Sequence, residues 1–337
     1  MKNIYILVVS VILVVSSCQP DSKTNTNTAT QPAPPPAKNM KIPKFDRDSA
    51  YQFVAAQVAF GPRVPNMASH TACKNYLAGK LAAFGATVIE QDFKAQAYTG
   101  TTLNATNIIG QFNPSAKKRI VLAAHWDSRH IADYDPEESN KNKPVLGADD
   151  GASGVGVLLE VARQLGANPI GNLGVDIIFF DAEDHGNDSG EDRDSWGLGS
   201  QYWSRNFHVS GYKADYGILL DMVGAKNARF AIEGTSAKYA PNIVRKVWRL
   251  ARGMGYSDYF SDQNVGGITD DHYFVNTIAR IPMIDIINLP TDSGQTFVKH
   301  WHTTNDTMEN IDKRTLRAVG QVVLAVLYNE AMGRLKS

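Results

Sequence analysis

The sequence has few cysteines, no surplus of charge of either sign and no apolar run long enough to cross a membrane. Its 337 residues include two cysteines, which cannot build a disulfide scaffold. Lys and Arg number 34 and are matched by 34 Asp and Glu. The chain therefore lacks the basic surplus with which nucleic-acid-binding proteins displace counterions from phosphate, and we expect no nucleic-acid partner.

The amino terminus has the pattern of an export signal. Lys2 precedes an apolar run from Ile4 to Val15, and Ser16, Ser17 and Cys18 follow it. A run of about a dozen residues is shorter than the roughly 20 that cross a bilayer, and it matches the apolar region of a signal peptide. The segment ending at Cys18 resembles the bacterial lipoprotein signal, in which this cysteine becomes the lipidated first residue. The alternative is a plain signal peptide with an incidental cysteine.

The composition after Cys18 predicts a tether and then one folded domain. Residues 19–40 are poor in apolar side chains and rich in Thr, Asn, Ala and Pro, so they cannot bury enough surface to offset the entropy of ordering. We expect a signal peptide over 1–17, a lipidated Cys18 with a disordered tether over 18–44, and a single domain over 45–337. These features predict an exported bacterial lipoprotein, anchored in a membrane on the periplasmic side of the outer membrane.

Helical and strand patterns alternate from about Phe45 onward. Three apolar runs, Ile120 to His125, Val175 to Asp181 and Ile218 to Asp221, have the composition of strands that are buried on both faces. The pattern predicts a single α/β domain with a central mixed, mainly parallel sheet flanked by helices. Further predicted helices cover 49–61, 73–84, 151–165, 237–254 and 312–332, and further strands cover 88–93, 107–112 and 281–287.

Acidic and imidazole side chains cluster where these strands end and where helices begin. The clusters are His125-Trp126-Asp127, Asp149-Asp150-Gly151, Asp181-Ala182-Glu183-Asp184, Asp221 and Trp301-His302. Each cluster alone has an ordinary explanation as a helix cap, a turn or a packed histidine. Adjacent carboxylates at one sheet edge repel unless a cation lies between them, and zinc binds carboxylate oxygens and histidine nitrogens. Together they predict a zinc site.

Other common catalytic motifs are absent from the sequence. It contains no G-x-S-x-G, H-E-x-x-H or C-x-x-C pattern. The glycine-rich segment from Gly151 to Gly156 fits neither of the two usual phosphate-binding motifs. We expect its small residues to let a helix pack close to the sheet.

The order of the motifs resembles that of the zinc-dependent aminopeptidases and, more closely, the animal-type glutaminyl cyclases that share their fold. The motifs are H-x-D, G-A-D-D-G-A-S-G-V, F-F-D-A-E-D, L-L-D-M-V-G-A and W-H-T. By this resemblance, Asp150, Asp184 and His302 hold a single zinc, and Glu183 is the acid-base residue. The resemblance extends from about Phe45 to the carboxyl terminus.

Three details are more similar to the cyclases than to the peptidases. Trp301 precedes the ligand His302, the segment from Ile268 to His272 resembles the cyclase pattern I-x-D-D-H, and a tryptophan follows the acid pair. The resemblance implies a proton-handling pair, Asp221 and Asp270, and a substrate pocket lined by Trp196, Trp301 and Thr269.

The same resemblance leaves the metal count and the reaction open. Asp184 stands where a glutamate is usual, and G-A-D-D-G-A-S-G is closer to the peptidase version. His125 and Asp221 match the ligands of the second peptidase zinc. The favoured expectation is one zinc and the conversion of the N-terminal Gln of peptides or proteins to pyroglutamate with release of ammonia. The alternatives are a two-zinc aminopeptidase and a non-catalytic anchored binding protein, against which the complete set of acids argues.

Overall fold

A six-stranded mixed sheet forms the centre of the fold in a computed structural model, which describes Met1 and residues 40–189, 192–291 and 296–335. The strands are β1 (Thr87–Gln96), β2 (Thr102–Phe112), β3 (Arg119–His125), β4 (Gly174–Phe180), β5 (Tyr216–Asp221), β6 (Phe230–Ile232), β7 (Phe260–Asn264) and β8 (Met283–Ile287). The large sheet has the order β1-β2-β4-β3-β5-β8, while β6 and β7 pair separately. The last four strands in this order are parallel to one another, whereas β2 pairs antiparallel with both of its neighbours, β1 and β4. The predicted mixed, mainly parallel sheet is confirmed.

Helices cover both faces of this sheet. They are α1 (Arg47–Val58), α2 (Ala68–Ala83), α3 (Ala152–Ala167), α4 (Leu198–Arg205), α5 (Gly234–Tyr239), α6 (Pro241–Gly253), α7 (Asp271–Phe274) and α8 (Lys313–Ala331). Side chains alternate along each strand, so Leu122 joins the larger core beneath α1, α3 and α8, while Val121 joins a smaller core with Trp203 of α4. The fully buried β3, β4 and β5 match their apolar sequences.

The predicted helix over 237–254 is wrong in one respect, because the chain forms two helices there. Helix α5 ends at Tyr239 and α6 begins at Pro241. Proline lacks an N–H group and disfavours helical backbone in the residue before it, whereas its fixed φ suits the first position of a new helix. Pro241 therefore separates the two helices. The short elements β6, β7, α4 and α7 were not predicted.

Glycines bring α3 against the strand ends, as the small residues predicted. A β-carbon on Gly154 would lie 2.2 Å from the carbonyl oxygen of Leu220 and 2.9 Å from the β-carbon of Ala124. Gly151, with φ of 91°, would place a β-carbon 2.5 Å from the carbonyl oxygen of Asp127. Only glycine fits at these two positions without a shift of the backbone. The start of α3 is thus held directly beside the ends of β3 and β5.

The predicted signal peptide, Cys18 and most of the tether lie outside the described residues. Within the described part of the chain, no helix combines the length and the apolarity that crossing a membrane requires. Cys73 is buried in α2 as a free thiol, and burial raises its pKa to about 12.

Candidate active site

A cavity of about 450 Å³ opens at the carboxyl ends of the parallel strands, where ligands collect in sheets of this type. It brings together predicted residues from five separate segments of the chain. Those lining it are Asp150, Glu183, Asp184, Trp196, Asp221, Thr269, Asp270, Trp301 and His302. His125 does not line the cavity, but its ring contacts two of the lining carboxylates from behind.

The acid pair after β4 is held in place by a third acid. Asp127 accepts hydrogen bonds from the backbone N–H groups of Glu183 and Asp184, both at 3.1 Å. Ala182 has a left-handed backbone with φ of 53°, which a non-glycine residue adopts only where its surroundings impose it. The sequence placed Asp127 among the metal-capable residues. The structure instead gives it a positioning contact with the acid pair.

Asp150, Asp184 and His302 form a compact group of donor atoms. His302 Nε2 lies 3.0 Å from Asp184 Oδ1 and 3.9 Å from Asp150 Oδ2, and all three residues are buried. Among the described residues, neither oxygen of Asp184 makes a contact with hydrogen-bond geometry, and the basic atoms near Oδ1 are His302 Nε2 at 3.0 Å and Arg129 Nη1 at 3.7 Å. Buried carboxylates without donors are costly unless they are protonated or bind a cation. Two carboxylates and one imidazole fit the donor set of a catalytic zinc that keeps one position open.

A second group shares Asp150 with the first. His125 Nε2 lies 3.0 Å from Asp150 Oδ1 and 3.1 Å from Asp221 Oδ1, and these donor atoms also fit a metal ion. The two groups lie on opposite oxygens of Asp150. The donor atoms therefore accommodate one metal ion or two, as the sequence had left open.

The loop that carries His302 is shaped by aromatic stacking. His302 has φ of 54°, and its ring stacks on Trp301 at 3.5 Å and more distantly on Trp196 at 6.0 Å between ring centroids. A β-carbon on Gly186 would fall inside the Trp196 indole, so this glycine leaves the space that the indole occupies. Both predicted tryptophans consequently line the cavity beside His302, the predicted metal ligand.

Burial and neighbouring charges shift the pKa values of the acids in the cavity. Burial raises the pKa of Glu183 well above its ordinary value; Asp270 and Asp271 add to this effect, and His125 opposes it. Burial likewise raises the pKa of Asp184 to about 6 and that of Asp221 to about 8. Glu183 thus keeps its proton to a higher pH than an ordinary glutamate does, because its pKa is raised, and this suits an acid-base group.

Behind the cavity lies an acidic cluster that the sequence reasoning missed in part. Asp270 caps α7, and Asp285, in the middle of β8, is fully buried. Burial, Asp270 and Asp221 raise the pKa of Asp285 well above its ordinary value, and a hydrogen bond with Asp270 adds to the shift. The predicted partners Asp221 and Asp270 therefore belong to a group of three acids. In the sequence, the third acid, Asp285, is a single aspartate inside an apolar strand.

The family comparison matches most of this region. Residues 107–327 match the family model of peptidase family M28. The chain belongs to peptidase family M28. This span begins in β2, ends in α8 and contains every residue that lines the cavity.

Solved structures that are similar to the chain have two kinds of name. A glutaminyl cyclase from Bacteroides thetaiotaomicron, solved with N-acetylhistamine bound, is 55% identical with a TM-score of 0.83 over 86% of this chain and 99% of that one. A Zn-dependent exopeptidase from Parabacteroides distasonis is 54% identical with the same TM-score, over 86% of this chain and all of that one.

A curated relative also has a cyclase name. The glutaminyl-peptide cyclotransferase of Bos taurus is 27% identical over 256 residues, which are 65% of this chain. The match spans 64% of that relative, so this chain covers less than two thirds of its length. The resemblance stated from the motifs is confirmed.

Proposed function

We propose that this M28 chain is a glutaminyl-peptide cyclotransferase that converts an N-terminal glutamine to pyroglutamate and releases ammonia. The observation that carries the proposal is the cavity itself, where Glu183 and the Asp150, Asp184 and His302 group face two indoles. Similarity to glutaminyl cyclases supports it.

The residues of the cavity divide the reaction among them. Asp150, Asp184 and His302 would hold the zinc ion, which would supply a Lewis acid for the side-chain amide carbonyl of the substrate. Glu183 takes a proton from the α-amine as its nitrogen forms a bond to the amide carbon. The same carboxyl then gives that proton to the departing nitrogen as the old carbon–nitrogen bond breaks. One ammonia leaves, the lactam ring closes, and no water is consumed.

The groups around Glu183 support this proton transfer. Asp221 and Asp285 keep their protons to a higher pH than ordinary carboxyls do, because burial raises their pKa. In the proposed reaction Asp221 and Asp270 stabilise the leaving nitrogen. Trp196, Trp301 and Thr269 form walls for a slender side chain and exclude water from it.

A two-metal aminopeptidase is the second candidate, and one observation favours it. His125, Asp150 and Asp221 form a further donor group that shares Asp150, as a metal-bridging carboxylate would. In that reaction Glu183 activates a water instead of the substrate amine. The two candidates use the same residues and differ in the nucleophile.

Products distinguish the two candidates. The purified, zinc-loaded protein is incubated with a glutaminyl peptide and, separately, with a leucyl and an alanyl peptide, and the masses are read. We expect the glutaminyl peptide to lose one ammonia and to keep its length, the other peptides to stay intact, and one zinc per chain. Free glutamine, a shortened peptide and two zincs per chain would assign the protein to the aminopeptidase class.

We also propose that the chain is exported and anchored through a lipidated Cys18, which supports a role on N-terminal glutamine of exported peptides or proteins. The support is the apolar run, the small residues before Cys18 and the polar tether after it. A Cys18→Ser variant should leave the membrane fraction or remain unprocessed. Wild-type protein that is wholly soluble after export would contradict the anchor.

A further inference from the structure

The geometry points to Arg129 and Asp133 as positioning residues that fix two of the proposed zinc ligands, His302 and Asp184, relative to each other. Neither belongs to a sequence motif identified above, and neither lines the cavity. The inference rests on the proposed zinc site. Its basis is a set of contacts that connect three separate loops: the one after β3, the one after β4 and the one that carries His302.

Asp133 contacts the ring nitrogen of His302 that faces away from the donor group. Asp133 Oδ1 lies 3.3 Å from His302 Nδ1, while His302 Nε2 lies 3.0 Å from Asp184 Oδ1. A carboxylate that accepts a hydrogen bond from Nδ1–H fixes the imidazole in the tautomer whose Nε2 lone pair is free to bind a metal. The 3.3 Å contact is an ion-pair distance, and among the described residues His302 Nδ1 makes no contact with hydrogen-bond geometry. Asp133 is the carboxylate that faces Nδ1, and in our proposal it fixes the orientation and the tautomer of His302.

Arg129 connects this carboxylate to the other ligand. Its Nε and Nη2 donate to the two carboxylate oxygens of Asp133 at 3.2 and 2.6 Å, and its Nη1 donates to the carbonyl oxygens of Asp184 and Gly186 at 3.1 and 2.8 Å. The guanidinium also lies over the Trp196 ring, 4.9 Å from its centroid. Arg129 is 1% exposed, whereas the Asp133 side chain is 24% exposed, so the guanidinium is buried and its carboxylate partner is partly accessible to water.

These contacts surround a residue, His302, whose backbone conformation is unfavourable. His302 has the left-handed φ of 54°, which costs free energy for a residue with a side chain, so its surroundings must hold it there. The planar guanidinium of Arg129 offers several donors in a fixed arrangement, which suits simultaneous contacts to a carboxylate and two carbonyls. A lysine could not make them all. One buried arginine therefore keeps His302, through Asp133, in register with Asp184.

Zinc affinity tests this inference directly. Dissociation constants for zinc are measured by competition with a chelator for the full protein and for Asp133→Ala, Asp133→Asn and Arg129→Lys. We expect zinc to bind about 10–100-fold more weakly to Asp133→Ala and Arg129→Lys. Asp133→Asn should lose less, because its side-chain oxygen can still face Nδ1–H of His302 as an acceptor. Excess zinc should restore much of the lost turnover.

Asp176→Asn is the matched control. Asp176 is a fully buried aspartate in β4 that pairs with Arg119 at 2.7 Å, outside the cavity lining. Its loss should change thermal stability but leave zinc affinity unchanged. Equal zinc affinity in wild type and Asp133→Ala, or an equal loss of zinc affinity in Asp176→Asn, would overturn this inference but not the proposed function. If Asp133→Ala does not fold, unaltered affinity in Asp133→Asn and Arg129→Lys would overturn it equally. Wild-type protein that binds no zinc would overturn the proposed function as well.

Discussion

Glu183 and Asp184 are neighbours in the chain, yet their environments suit different tasks. Asp184 Oδ1 lies 3.0 Å from His302 Nε2, inside the group of metal-capable atoms. The pKa of Glu183 is raised well above its ordinary value by burial and by Asp270, as suits a group that takes up and gives back a proton during a reaction. One carboxyl of the pair thus suits a ligand and the other suits an acid-base group.

Substitution of each member separates these two roles. Glu183→Gln is nearly isosteric, so it should keep zinc and thermal stability while turnover falls by about 10²–10⁴-fold. Asp184→Ala should lose zinc and, with it, the stability that metal binding adds to the folded state. Metal analysis, thermal melts and cyclisation rates of the two variants check this. If Glu183→Gln loses zinc and Asp184→Ala keeps it, our assignment of the pair is reversed.

At the scale of single residues, the sequence predicted candidate metal ligands and acid-base groups. It did not predict all of the residues that fix the positions of these groups. Metal-capable residues of the cavity such as Asp150 and His302 were predictable because their types recur at strand ends in one order, whereas the charged residues Asp188, Asp192 and Arg193, which also line the cavity, were not predicted. Asp133 and Arg129 were not, because their contacts are made between loops that only the fold brings together. Asp285 stood out as an acid within an apolar strand, but the sequence did not indicate which residues it contacts.

At the scale of elements, the position of α3 decides whether the site forms. This helix carries Asp150 immediately before its start, and it packs against β5 with no space for a side chain at Gly154. Close packing between a helix and the strand ends fixes donor atoms that come from different elements. Small residues here therefore contribute to the geometry of the proposed metal site.

Gly154→Ala tests this close packing. The added methyl would meet the Leu220 carbonyl, and we expect the free energy of unfolding to fall by about 1–3 kcal/mol. Gly79→Ala in α2 is the control. A β-carbon there meets no neighbour within 4 Å, so alanine should raise the free energy of unfolding by roughly 0.5–1 kcal/mol. Denaturant unfolding of both variants measures these changes in the free energy of unfolding. A stabilised Gly154→Ala would contradict the account.

Long periodic elements were predictable from sequence, and short ones were not. Strands β3 to β5 and helix α8 follow from apolar patterns that span many residues. The three-residue β6 and the four-residue α7 contain too few positions for a period to show. Tertiary contacts and the cap at Asp270 determine α7 instead.

At the scale of the whole molecule, metal-free stability depends on several buried titratable groups. Burial raises the pKa of Asp184 from 3.8 to about 6 and that of Asp221 from 3.8 to about 8. Burial lowers the pKa of His302, but Asp184 and Asp133 outweigh it and raise the value from 6.5 to about 9. In each case the folded chain binds protons more tightly than the unfolded chain does.

The sign of the pH dependence follows from this linkage. Because the folded state holds more protons between about pH 4 and pH 9, these groups should make the metal-free protein less stable as pH rises through that range. Zinc displaces those protons, so the rise in melting temperature that zinc causes should grow between about pH 5 and pH 8. Thermal melts with and without a chelator measure both trends. A zinc effect that shrinks with pH would contradict the assignment.

Which atom attacks the glutamine carbonyl is the central question, and water labelled with heavy oxygen answers it. In labelled water, cyclisation by the α-amine incorporates no solvent oxygen, because the bond formed is between carbon and nitrogen. We therefore predict that zinc-loaded protein gives a pyroglutamyl peptide without label, and that Glu183→Gln forms little of it. Label in the carboxylate of free glutamine would show that water is the nucleophile in peptide-bond hydrolysis, and would contradict the account.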